Sequence, residues 1–171
     1  MLAAADAAFK LPPWHDFAVM LGGAAAALTG LIFVAVSIQL TGVTADPLLR
    51  HRASSSLVFL FTIVAGAAAV LAPQSSRAVG AEFLALVVIG AVVGRKGLAA
   101  AQRQHDRLTR GVAIVQGPTA LLGIVADISL IAQRGYGMYL AAPCLLITAG
   151  TTIASAWIVL VAAARAEPVG G

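Results

Sequence analysis

Charge is what this sequence has least of. Only 11% of its 171 residues are charged, whereas a soluble domain carries about a quarter, because it must cover itself with water-facing groups. Acids are scarcer than bases, with seven Asp and Glu against 11 Lys and Arg. There is one cysteine, Cys144, so no intrachain disulfide can form. It sits in an apolar run and reads as a small core hydrophobe. The three histidines, His15, His51 and His105, are widely separated. They have no Cys partner and no two-His helical spacing, so they do not make a zinc site. The glycines form neither a phosphate-loop nor a dinucleotide pattern, and Ser54, Ser55 and Ser56 have no nucleophile-elbow context. No cofactor, no metal and no enzymatic activity are therefore expected.

What fills the chain instead is hydrophobic residue, at 60%, with a mean hydropathy of +0.96. It comes in blocks long enough to cross a bilayer, about 20 residues each. The spans are 17–43, 53–72 (stopped by Pro73), 76–94 (ended by Arg95 and Lys96), 111–132 (ended by Gln133-Arg134-Gly135) and 137–164 (ended by Arg165). Backbone groups in lipid must be satisfied internally, so these are helices; the alternating segments of about ten residues that a barrel needs are absent. The expected architecture is all-α, a polytopic bundle of five transmembrane helices forming one integral membrane domain over residues 1–171. Two very short connections make sequential helices antiparallel neighbours. The longest, the basic loop 95–110, has alanines and spaced leucines that suit an extension of the third helix. The opening MLAAADAAFKLPPWHDF lacks a basic stretch leading into a short apolar one, so the first span reads as a retained anchor rather than a cleaved signal.

The basic residues set orientation and partners. With the N-terminus outside, the inner segments hold Arg50, Arg52, Arg95, Lys96, Arg103, Arg107, Arg110 and Arg165, leaving Lys10, Arg77 and Arg134 outside. The positive-inside rule then favours N-out, C-in. Trp14, Tyr136 and Tyr139 fall at the outer interface, as an aromatic belt does. The net charge of +4 is explained by these loops. The partner it implies is a bilayer with anionic headgroups, and no nucleic acid.

In lipid, helices approach through small residues. Gly23, Ala27, Gly30, Val34, Ser37 and Thr41 share one face of the first span, and Thr148, Thr151, Thr152 and Ser155 one face of the fifth. Each stripe suits either helix packing or the lining of a wet path. Two acids, Glu82 and Asp127, lie inside spans, where a carboxylate marks a functional site by default. Both sit about 8 Å below the outer ends of their helices. Asp127 continues a stripe of Gln116, Ala120 and Gly123, bordered by Thr119, in a helix that Pro118 interrupts. Two roles stand open for the acids: structural ion pairs with Arg77 and Arg134, or a cation site on an ion path.

Trp14-His15-Asp16-Phe17 followed by VMLGGAAAALTGLIFVAVSIQL resembles the opening of a group of small, uncharacterised multi-spanning proteins of high-GC bacteria. Their pattern is W-x-D-F, then G-x-A-A-A-L-T-G-L-x-F-V-A-x-S. The match fixes Trp14, Asp16, Phe17, Leu28, Thr29, Gly30, Phe33 and Ser37, within residues 14 to 40. Some members carry the label modulator of the FtsH protease. The resemblance implies a bacterial inner-membrane location. Two functions are expected in competition. One is a homo-oligomeric channel or small-ion permeation protein, which uses the buried acids. The other is an accessory or modulator subunit of a larger inner-membrane complex, of protease or respiratory type.

Overall fold

The computed structural model describes residues 9–38, 40, 47–103 and 107–166. Among the described residues there are five long helices and no strand. A 3-10 turn over Pro12–Trp14 leads into α1 (His15–Ile38), followed by α2 (Pro47–Leu71), α3 (Ser76–Arg103), α4 (Arg107–Ala132) and α5 (Gly137–Ala166). Each contains a stretch long and apolar enough to cross a membrane. The expected end of the first span at Val43 lies outside the described residues, as do positions 104–106 of the basic loop. The remainder of that loop is helical, because α3 continues to Arg103 and α4 begins at Arg107.

Local chemistry places the helix ends. Pro73 follows α2, and Ser75 caps α3 by accepting the Ala78 N–H at 3.3 Å. Gln133 at φ 53° and Gly135 at φ 91° turn the chain sharply after α4, a conformation that glycine adopts without cost. Ser129 stitches that turn, donating to the Arg134 carbonyl and accepting the Gly137 N–H at 3.0 Å. The two tight turns lie at the same end of the bundle. Gln133 joins them, its amide donating to Ser76 Oγ at 3.3 Å while its carbonyl accepts from Arg77 at 3.4 Å.

Helices α2, α3, α4 and α5 form a ring in which each packs on the next and α5 returns to α2. Helix α1 lies outside the ring, mainly against α2. The ring is filled at the hairpin end by Val79, Phe83, Ala126, Leu130 and Met138. A second core, including Leu21, Ala25, Leu60, Ile63 and Ala156, binds α1 to α2 and α5. Large apolar side chains face outward, among them Ile114 at 73% and Leu121 at 67% exposed, which suits hydrocarbon and not water.

The small-residue stripe of α1 needs correction as a packing face within the protomer. Gly23, Ala27, Gly30 and Ser37 are exposed, and nothing lies within 4 Å of a Cβ added at Gly23 or Gly30. The packing face is Ala18, Leu21, Gly22, Ala25 and Ile32. At Gly22 an added Cβ would stand 2.7 Å from Ala67 Cβ. The two faces are one residue apart, about 100° around the helix, and both are rich in small residues. The α5 stripe divides: Thr152 is buried, whereas Thr148 and Ser155 line a cavity inside the ring. Their hydroxyls donate back to carbonyls of their own helix, Thr148 to Cys144 at 2.8 Å, Thr152 to Thr148 at 2.7 Å and Ser155 to Thr151 at 2.9 Å.

Candidate functional site

The ring surrounds a half-open cavity of about 370 Å³ lined by residues of α2, α3, α4 and α5. Two Gly–Phe pairs shape its wall. Gly66 on α2 admits the Phe83 ring, with Cε1 3.3 Å from an added Cβ, and Gly90 on α3 admits Phe59, at 3.1 Å. The cavity runs from His51, Arg52 and Arg95 at one end to Asp127 at the other. Beyond Asp127 the ring is solid, since Leu130 and Val79 are fully buried. The cavity is therefore blind at the hairpin end and has its basic residues at the opposite end.

Asp127 is 2% exposed, and its Oδ2 has no hydrogen-bond partner. A buried polar atom left unpaired costs about 1–3 kcal/mol, and more when charged. His51 Nε2 at the far end is the second buried side-chain atom without a partner among the described residues. The sequence stripe meets in this one wall: Gln116, Thr119, Ala120, Gly123 and Asp127 all line the cavity. Gln116 crosses to α5, donating to Thr151 Oγ1 at 3.1 Å. Thr119 donates to the Val115 carbonyl at 2.8 Å.

Glu82 is placed differently. It is exposed, and it accepts from Gln74 Nε2 at 3.1 Å. It lies two residues beyond Gly80, the α3 position that abuts the Asp127 backbone. Two residues are about 200° of helix, so Glu82 faces away from Asp127 although both sit at a similar level. Neither acid is paired with the arginines expected for it. Arg77 bonds Gln133, and Arg134 is exposed, its backbone N–H held by the Ser129 carbonyl at 3.1 Å. The Arg77 side chain is engaged by Gln133 in the turn after α4, and the Arg134 backbone is engaged by Ser129.

His51, Ser55, Ser56 and Cys144 also line the cavity, and the sequence pattern alone does not single them out for it. A signal is present on α2, where Arg52, Ser55, Phe59, Thr62 and Gly66 recur every three or four residues. Among the described residues no group of three or more His, Cys, Asp and Glu could hold a metal ion.

A four-helix ring around a blind, acid-tipped cavity, with a fifth helix outside, defines a small multi-pass helical membrane protein. No family model, no curated protein and no solved structure matches the chain.

Proposed function

We propose that this protein moves a small cation, with Asp127 as the site the cation occupies and the cavity within each protomer as its path. The observation that carries this reading is the buried Asp127 carboxylate whose Oδ2 has no partner. A lone carboxylate in a low-dielectric interior is costly, and an arriving cation removes that cost. In the N-out orientation within a bacterial inner membrane, the basic end of the cavity faces the cytoplasm. Release on the other side then requires the apolar fill at the hairpin end to part, so the protein acts as a gated carrier or channel and not as an open pore.

Flux of monovalent cations and protons into proteoliposomes tests this. Asp127→Asn is expected to reduce flux at least about tenfold, the kinetic equivalent of losing one charge-assisted hydrogen bond of about 1.5 kcal/mol. Glu82→Gln, on the opposite side of α3, is expected to leave flux unchanged. Equal flux in wild type and Asp127→Asn would sink the reading.

A second reading, an accessory or modulator subunit, is favoured by one observation: the outer face of α1 carries Gly23 and Gly30 with open space above both. Such a face suits close approach by another membrane helix. Native mass spectrometry of protein extracted from its own membrane separates the two. Copies of this chain alone are expected for the permeation protein, and unrelated subunits at fixed stoichiometry for the accessory one.

A further inference from the structure

We propose that the cavity binds a lipophilic amine, a molecule carrying one ammonium group on an apolar body, with the ammonium against Asp127 and the body along the ring. The inference rests on the reading of Asp127 as a cation site and names the class of cation. Size is the first reason. A cavity of about 370 Å³ falls in the range of small-molecule sites, about 300–1,000 Å³, and is far larger than a single bound ion needs.

The walls are the second reason. Phe59, Ile63, Phe83, Leu86, Leu145 and Ile158 line the cavity and offer hydrocarbon to an organic body. A divalent cation takes about six or more oxygens with several carboxylates among them, and among the described residues no group of three or more His, Cys, Asp and Glu is assembled to hold one.

The third reason is the sense of the hydrogen bonds. The hydroxyl donors of the α4 and α5 polar stripes are turned to the protein itself. Thr119 and Thr148 give their protons to the carbonyls of Val115 and Cys144, and the Gln116 amide bonds Thr151. What remains open at the blind end is an acceptor, Asp127 Oδ2. An ammonium group brings up to three donors and a compensating charge, whereas an anion or a plain hydrocarbon leaves the carboxylate as it was. Phe83 lies one helical turn from Gly80, the residue that touches the Asp127 backbone. It lines the cavity beside the acid, where an aromatic ring suits the apolar body of such an amine. The opposite end, with Arg52 and Arg95, lies about 22 Å away along α3, where headgroups and water screen it.

Binding of three matched probes to the full-length protein in detergent, followed by calorimetry, tests the inference. The probes are 4-phenylbutylamine, 4-phenylbutanol and 4-phenylbutanoate, which share a body and differ at the head. The amine is expected to bind wild type at least about tenfold more tightly than the alcohol or the acid, and to lose that preference in Asp127→Asn. Ala120→Phe, which fills the cavity and leaves the acid in place, is expected to weaken the amine as well. Thermal unfolding establishes that both variants are folded. Equal binding of amine and alcohol, tighter binding of the acid, or an amine affinity unchanged in both variants would overturn the proposal. If Asp127→Asn stops inorganic cation flux while the amine fails to bind, this inference falls and the permeation reading stands. If the amine binds through Asp127 and no inorganic cation moves, the inference holds and the permeation reading falls.

Discussion

Replacing Gly80 with leucine is expected to lower the thermal midpoint by about 5–10 °C, as overpacking worth about 2–3 kcal/mol does in a protein of this size. A Cβ at this position would meet the Asp127 carbonyl oxygen and Leu130 Cβ, each at 2.9 Å, and Ile131 Cγ1 at 3.0 Å. One of the three is backbone, which no rotamer change can move, so α3 and α4 must separate. Gly22→Leu meets a similar obstacle in Ala67 on α2. Gly23→Leu and Gly30→Leu are the controls, because both positions face open space, and their midpoints are expected to stay at the wild-type value. A circular-dichroism melt in detergent reads all four. A Gly80→Leu protein that melts with wild type would show that α3 and α4 do not approach this closely.

The second large effect has the opposite sign. Asp127→Leu is expected to raise the midpoint by about 3–6 °C while abolishing cation uptake, since an unsatisfied buried polar group costs about 1–3 kcal/mol and an apolar side chain of similar size does not. Leucine puts two methyl groups where the two carboxylate oxygens stand, and their slightly larger volume has room because Asp127 borders the cavity. Asp127→Asn keeps a polar group at the site and is expected to gain little. The trade of stability for activity is the mark of a residue kept for function. A lower midpoint in the leucine variant would show instead that the carboxylate is a stabilising partner within the fold, as an ion pair with Arg134 would make it.

The five helices are legible in the sequence because their signal is a length of uninterrupted apolar residues, which needs no knowledge of neighbours. The wall containing Gln116, Thr119, Gly123 and Asp127 is legible for a similar reason. Polar and small residues at helical spacing in an apolar span mark a face turned away from lipid. The packing face of α1 is not legible. Gly22 and Gly23 are adjacent, both belong to plausible small-residue stripes, and only the position of Ala67 on α2 decides between them. The relation of the two acids is half legible. Counting residues gives their common level, but the side of the helix on which Glu82 lies depends on which face of α3 meets α4, and this is fixed by Gly80. Proximity along the chain puts Arg77 and Arg134 near the acids. The fold instead pairs the Arg77 side chain with Gln133 and fixes the Arg134 backbone through Ser129.

The closure of the ring by α2 and α5 bears on how the protein is made. Helix α5 is the last of the five to leave the ribosome, so the cavity does not exist until it inserts. Before then the face of α4 that carries Gln116, Thr119 and Asp127 has no α5 beside it and borders hydrocarbon, an unfavourable setting for three polar side chains. The final helix therefore does two things at once: it closes the cavity and it covers the polar face of α4.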